Sequence, residues 1–555
     1  MISMKKTYVI LIFFLLGVLN IRAQVTIGTL EDPQKFSILE LITTDSIVGG
    51  LRLPQLTTDD RIALTESEAF QEEKNGKAVG LVIYNTTLGC MECWDGTEWV
   101  AYSKAKIQDL SEKVEDLLDD TRNLKTISND YSNVKSFSLP FPRKLVRVDL
   151  TGVVWDNLET KADEIEATMI YTDYDGSYFE KPILLSYQGS SSINYEKKNF
   201  VFDLLNKDGS SCDIKIGNWA VMDSYNLKAN YIDFTQIRNV VTSRLAFEAA
   251  NARSFGKRFP WEATYNEDVT AVNYRFDDGA RGVIDGFPME LYINGEYWGL
   301  YTFNIKKTRK NFLMKKKEET KIIMGAETQN DWTRYIPSQW DIKNPDPVTE
   351  ATMEKVDRIF TWMKGVGDGS IDFESTYQDY WIKDEWIDYL IFMTVFYAPD
   401  CIHKNGIFCT WDGDRWAFKL YDLDTTWGLD WMGSRIIPQS LTDIFPDPDS
   451  NIANSMPWKV ILHSSSWMND VKKRYTELRK TILSESYVQE KVSSLADIFG
   501  TQNYEKDAKR WPKIPSNGSP DIWNRYPGCY TGTYQMLDWY QKRVALVDSQ
   551  WMNEY

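Results

Sequence analysis

The chain has 555 residues, 43% of them hydrophobic and 21 of them Trp, which is too long for one ordinary core and too apolar for a disordered chain. Its 63 basic against 80 acidic residues leave a net charge of −17. That balance excludes a nucleic-acid binder built on dense Lys and Arg, and a polybasic patch for anionic membranes, while remaining compatible with a divalent cation.

The first residues, MISMKKTYVILIFFLLGVLNIRAQ, place Lys5 and Lys6 before an apolar run from Val9 to Leu19, with Ala23 at a cleavage point. Residues 1–23 are expected to form a signal peptide; the alternative is an uncleaved anchor, for which the run is short. No later segment is long and apolar enough to span. The processed protein is therefore expected to be exported to the periplasm, cell surface or medium without a transmembrane anchor.

Residues 24–102 read as a small β module. GLVIYNTTLGCMECWDGTEWV alternates apolar residues and turns at Asp95-Gly96 between two Trp-bearing strands. This run resembles the stem module found at the start of bacterial envelope proteins. Six cysteines in an exported chain of this length make no disulfide framework. Cys90 and Cys93 form a CxxC without a second pair or a nearby histidine, which disfavours zinc. Only two histidines exist, His403 and His463, which argues against a His-rich metal site and against Ser-His or Cys-His nucleophile schemes.

Residues 103–130 form the next segment. Ile107, Leu110, Val114, Leu117, Thr121 and Leu124 recur at three- and four-residue steps between charges. A coiled coil through residues 105–127, and with it a homo-oligomer, is expected; the alternative is one amphipathic helix packed on its own domain. Residues 131–555 read as an α+β domain with a helical C-terminal part, its helices expected at 233–251, 348–366, 379–397 and 467–498.

The chemistry concentrates in DCIHKNGIFCTWDGDRWAFKLYDLDTTWG, residues 400–428. WAFKLYDLD reads as a buried strand, and a period of two puts Asp422 and Asp424 on one face. Two adjacent carboxylates repel unless a cation lies between them, and oxygen-only pairs of this kind suit Mg²⁺. Asp400 and Asn405 have the Asp-x4-Asn spacing of a protein-kinase catalytic loop, with Asp422 following where kinases place a metal-binding Asp. A calcium-stiffened loop or a pair of capped turns would leave the same pattern.

YQGSSSINYEKKNF offers Gly189, Ser190 and Ser191 as a small-residue turn whose amides suit phosphate oxygens, followed by Lys198 to neutralise them. A GSSS turn also serves as a linker. DFTQIRNVVTSRLAFEAAN opens on a capping pattern at Asp233 and Gln236, and its apolar stripe of Ile237, Val241 and Leu245 runs into an inward Glu248. Glu248 needs a cation; Lys198 is one candidate, an interhelical partner the other.

These stretches, with "YNLKANYIDFTQIRN", "LYINGEYWGLY" and the tail "WYQKRVALVDSQW", resemble the CotH family of spore-coat-protein-H-like atypical kinases over most of residues 165–550. The resemblance implies a divergent protein-kinase-like fold using ATP and Mg²⁺ (or Mn²⁺) to phosphorylate Ser or Thr on exported proteins. It implies Asp400 as the catalytic Asp, Asn405 and Asp422 as metal residues and Lys198 as the nucleotide lysine; the residue readings above add Asp424 to the metal set, and Gly189, Ser190, Ser191 and Glu248 around the nucleotide. Two departures stand out: Ser190 replaces a family Asn, and after Gly299-Leu300-Tyr301 the chain carries Asn304 where many members have a Glu. A catalytically weak or inactive surface-binding protein or adhesin is the alternative function. A glycosidase is a third, disfavoured because Asp422 and Asp424 are too close to act from opposite sides of a sugar.

Overall fold

The computed structural model describes residues 25–27, 39–41, 53–102, 133–189, 191–253, 259–261, 279–326, 331–402, 404–430, 433, 436–438, 456–512 and 532–552. The signal peptide, the heptad segment, Ser190 and His403 lie outside the described residues. The chain divides into two compact units, residues 1–107 and 108–555.

In the first unit the expected hairpin forms. Val82–Asn85 pairs antiparallel with Cys90–Trp94, and this strand with Trp99–Tyr102, so that Trp94 faces Trp99 across the turn. Gln55–Leu56 completes a four-stranded sheet. The module is not purely β, because Thr58–Glu66 and Glu68–Glu73 are helices. The first begins on a capping box at Thr57 and Asp60, a signal that sequence patterning on apolar alternation passed over. Phe70 from the second packs edge-on to Trp94 at 5.1 Å.

The second unit begins with a closed seven-stranded barrel. Its strands are β1 (Val146–Thr151), β2 (Ile165–Thr172), β3 (Tyr178–Gln188), β4 (Asn199–Leu204), β5 (Ser224–Lys228), β6 (Gly286–Ile293) and β7 (Glu296–Ile305). The order around the barrel is β3-β4-β5-β7-β6-β1-β2, antiparallel except where β6 meets β1. Alternation builds its interior: Val146, Val148, Leu150, Met169, Tyr171 and Leu185 point inward, and polar neighbours point out. Strand β5 is buried on both faces, as is β7 from Gly299 to Ile305. Tyr225 and Leu227 enter the barrel, while Ser224, Asn226 and Lys228 alternate with them.

Beyond the barrel lies a four-stranded antiparallel sheet of β8 (Ile322–Ala326), β9 (Trp340–Asn344), β10 (Gly406–Thr410) and β11 (Trp416–Leu420), in the order β9-β8-β10-β11. The longer helices of the unit are α1 (Arg238–Asn251), α2 (Glu350–Asp368), α3 (Lys383–Phe396), α4 (Ser465–Arg479), α5 (Glu485–Phe499), α6 (Thr501–Arg510) and α7 (Thr533–Trp551). Every residue of α3 from Glu385 to Phe396 is buried, which makes it the central helix of the largest core. The expected helix over 467–498 is two, α4 and α5, parted at 480–484. The helix expected from 233 starts at Arg238; Gln236 has a left-handed φ of +64°, and Asp233 accepts from the Arg238 amide at 2.8 Å instead of capping within the first turn.

Candidate active site

The hairpin β10–β11 explains the spacing of the acidic stretch. Gly406 pairs with Leu420, so the residues just outside each strand, Asn405 and Tyr421, lie together at the open end. Asp400 is in a 3₁₀ turn, Pro399–Cys401, whose Cys401 thiol donates to the Tyr421 carbonyl at 3.6 Å. The Asp400 turn is thereby tied to the segment carrying Asp422. Asn405 adopts a φ of +52°, its amide donating to Ala326 O at 3.0 Å, and its Nδ2 donates to Asp400 Oδ2 at 3.2 Å. Lys404 Nζ lies 3.1 Å from Asp400 Oδ1.

Strand β11 ends at Leu420, and Asp422 has a φ of +60°, so the two aspartates do not share a strand face. A left-handed residue turns the chain there, tolerated because Asp is one of the few side chains that accept it. The segment is fixed by α1: Leu423 N donates to Asn239 Oδ1 at 3.1 Å, Arg238 Nε to Thr426 O at 3.2 Å, and Trp427 Nε1 to Thr242 Oγ1 at 2.8 Å. The two carboxylates still feel each other. Burial pushes the Asp424 carboxyl up to about 8, with the charges of Asp422, Asp233 and Asp400 adding to it against Lys228.

Lys228 is the buried cation beside Asp422. Its Nζ lies 3.4 Å from Asp422 Oδ1. Burial works against its charge, but Asp422, Tyr421 and Asp424 outweigh it and hold the ammonium above its ordinary range. The result is three carboxylates, an amide and two ammonium groups, those of Lys228 and Lys404, where barrel, α1 and hairpin meet. Residues 185–547, the stretch holding all of these groups, match the family described as CotH kinase protein. The chain belongs to the CotH kinase protein family. Residues 26–115 match a phage tail like trimerisation region. No curated relative matches the chain.

Within this CotH domain the predicted residues separate. Asp400, Asn405, Asp422 and Asp424 are brought together. The turn of Gly189 reaches the same place: Tyr195 stacks on Tyr231 at 4.8 Å, and burial and the Asp424 charge raise the Tyr195 hydroxyl. Gly189 has a φ of +116°, and a Cβ there would lie 2.0 Å from Ser192 Oγ, so the turn needs glycine. The loop is fastened by Asn199, which donates to Ser192 Oγ at 3.2 Å and accepts from Ala229 N at 2.7 Å, one residue beyond Lys228. The structure describes the backbone of Ser191, in a 3₁₀ turn, but not its side chain.

Lys198 and Glu248 do not meet. Lys198 Nζ donates to Ile193 O at 2.5 Å within its own loop, and burial pulls its ammonium down. Glu248 pairs with Lys491 at 2.9 Å and accepts from Tyr487 at 3.0 Å, the interhelical arrangement, because its position on α1 turns it to α5. The neighbouring Lys197 is buried against Asp507 at 3.0 Å. Gly299 makes room for that pair: a Cβ there would lie 2.5 Å from Asp507 Oδ1 and 2.9 Å from Lys197 Cε. Two of the CotH motifs, the lysine pair and the Gly-Leu-Tyr run, are thus in part structural. Lys228, which sequence reasoning missed, left one signal: a lysine inside the apolar YNLKANYI run, where a buried strand needs a partner for it.

Asn304 is fully buried on β7 opposite Asn226 of β5, and neither of its amide atoms has a hydrogen-bond partner. The substitution therefore puts an unsatisfied amide two residues along β5 from the level of Lys228.

The cluster fits a hard divalent ion by its chemistry: Asp422, Asp424 and, with its nitrogen on Asp400, the Asn405 oxygen are all oxygen donors. Among the described residues no preformed group of three or more acidic, His or Cys ligands is present. Phosphate oxygens and water would have to supply the rest.

Proposed function

We propose that this CotH protein is an exported atypical kinase that transfers the ATP γ-phosphoryl to Ser or Thr of exported or surface proteins. The observation that carries this reading is the meeting of Asp400–Asn405 with Lys228–Asp422 at one end of the hairpin. The barrel strand β5 carrying Lys228, followed directly by α1, supports a divergent kinase-like arrangement in which a strand lysine serves the phosphates.

In this reading Asp400, oriented by Asn405 and Lys404, accepts the proton of the substrate hydroxyl at a carboxylate oxygen. Lys228 balances phosphate charge, and the loop from Gly189 to Lys198 covers it. Asp422, Asp424 and Asn405 would hold Mg²⁺ or Mn²⁺, which supplies charge neutralisation of the phosphates when bound. No helix among the described residues is long and apolar enough to cross a membrane. The trimerisation-region match supports self-association of the N-terminal unit.

The test is phosphate transfer from ATP with Mg²⁺ or Mn²⁺ by the processed chain. Wild-type transfer lost in Asp400→Asn is the expected result. Equal transfer by both disposes of the kinase reading, and absence of nucleotide binding by calorimetry leaves a surface-binding scaffold.

A further inference from the structure

The four-stranded sheet of the N-terminal unit has two unlike faces, and its register assigns every residue to one of them. Ile83, Asn85, Glu92 and Trp94 face the helices: Arg61 pairs with Glu92 at 2.7 Å, Asn85 donates to Glu92 at 2.8 Å, and Phe70 covers Trp94. The other face carries the alternate residues. Val82 lies opposite Cys93, and Cys93 opposite Val100; Tyr84 lies opposite Met91, and Met91 opposite Tyr102.

With Gln55 opposite Tyr84 at its edge, Val82, Tyr84, Met91, Cys93 and Val100 make an uncharged, largely apolar face. Met91 is 45% exposed, and Val82, Tyr84, Cys93 and Val100 all retain partial exposure. The contacts of the two helices, Arg61 on Glu92 and Phe70 on Trp94 and Trp99, fall on the opposite face. The helical side is a normal protein surface by comparison, with Glu66, Glu68, Glu72 and Glu73 on it. A contiguous apolar sheet face of this kind marks an interface. The face lies wholly within residues 26–115, which match a trimerisation region.

We propose that the face formed by Val82, Tyr84, Met91, Cys93 and Val100 is where this chain meets two further copies of itself. A neutral apolar patch can be buried around a three-fold axis without opposing like charges, and the trimerisation-region match sets the number of copies at three. The inference rests on the self-association reading and adds to it the surface that does the work.

The experiment uses the processed full chain. Light scattering is expected to give a mass of three chains for wild type and of one chain for Met91→Glu/Val100→Glu, with Glu72→Lys on the helical side unchanged. Cys93 supplies a second readout, because the other described cysteines, Cys90, Cys212, Cys401 and Cys409, are buried. Maleimide is expected to label Cys93 slowly in wild type and at least ten-fold faster in the double variant, judged against Cys93→Ser. A wild-type mass of one chain refutes self-association itself. A mass of three chains in the double variant, or rapid labelling of Cys93 in the trimer, overturns the choice of this face. So does slow labelling in a single-chain variant, which would mean that the chain covers the face itself.

Discussion

Two lysine–aspartate pairs bracket the barrel, and they differ in what their burial is for. Lys197 and Asp507 join the β4 end to α6, with side chains 0% and 9% exposed, and Leu300 N adds a further bond to Asp507 at 2.7 Å. Burial pulls the Lys197 ammonium down, the sign of a cation fully withdrawn from water and compensated by one partner. Lys228 and Asp422 are 6% and 30% exposed, and here the acidic surroundings drive the lysine the other way. A closed pair is a joint. An open pair whose lysine faces an excess of carboxylates is a place where a further charge can enter.

Removing one member of the closed pair should therefore have the largest effect on stability. Asp507→Ala leaves Lys197 charged and buried, and is expected to destabilise the fold by about 3–5 kcal/mol in denaturant unfolding. A change below about 1 kcal/mol would mean that water reaches Lys197 and the contrast is wrong.

The open pair should answer in activity. Lys228→Met is expected to lower phosphate transfer by about 10²-fold, as loss of one placed charge at a reacting phosphate does, while changing stability by no more than about 1 kcal/mol because Asp422 can turn to solvent. ATP with Mg²⁺ is expected to raise the melting temperature of wild type, and Asp422→Ala should leave the fold intact and abolish that rise. A full shift in Asp422→Ala removes this residue from the metal site.

Protonation sharpens the same contrast, because the crowding of carboxylates at the open pair is relieved by a proton on Asp424. Its carboxyl is pushed from 3.8 up to about 8, first by burial and then by Asp422. Between these values the folded state holds a proton that the unfolded state has released. Stability without metal should therefore fall as pH rises from about 4 to about 8, and level off above that. Mg²⁺ needs the ionised form, so metal binding should release a proton and strengthen with pH over the same window. Asp424→Asn should flatten both slopes; unfolding midpoints measured across that range, with an unchanged slope in the variant, would assign the titration elsewhere.

What the sequence displayed follows from the range of the interactions involved. The N-terminal hairpin was legible because Asp95-Gly96 and alternating apolar residues are local signals. Asp400, Asn405 and Asp422 were legible because a hairpin with Gly406 opposite Leu420 converts their sequence spacing into proximity. The face shared by Asp422 and Asp424 was misread, since alternation assumes an extended chain and one positive φ at Asp422 ends it. Lys228 was passed over for Lys198 because its one local signal, an apolar setting, says that it needs a partner but not that the partner is Asp422, 194 residues away, while Lys198 turns back on Ile193 O. The helices Thr58–Glu66 and Glu68–Glu73 were missed where caps, not apolar periodicity, carry the signal.

Glu248 provides the smallest effect and the most direct check on which lysine matters. A glutamate in the active site paired with Lys198 would be needed to hold a phosphate-binding ammonium, and its loss would reduce transfer by orders of magnitude. The structure gives it other work: an ion pair with Lys491, the two side chains 15% and 17% exposed, and the Tyr487 hydroxyl. In Glu248→Gln the amide oxygen still accepts from Tyr487, and Lys491 has enough exposure to regain water. The expected cost is about 0.5–1 kcal/mol of stability, from the lost ion pair alone. Transfer should stay within about two-fold of wild type, because the Glu248 carboxylate is engaged by Lys491 and Tyr487, both on α5. A loss of transfer comparable to that of Lys228→Met, at unchanged stability, would return Glu248 to the nucleotide site and make the α1–α5 pairing a resting state that opens on binding.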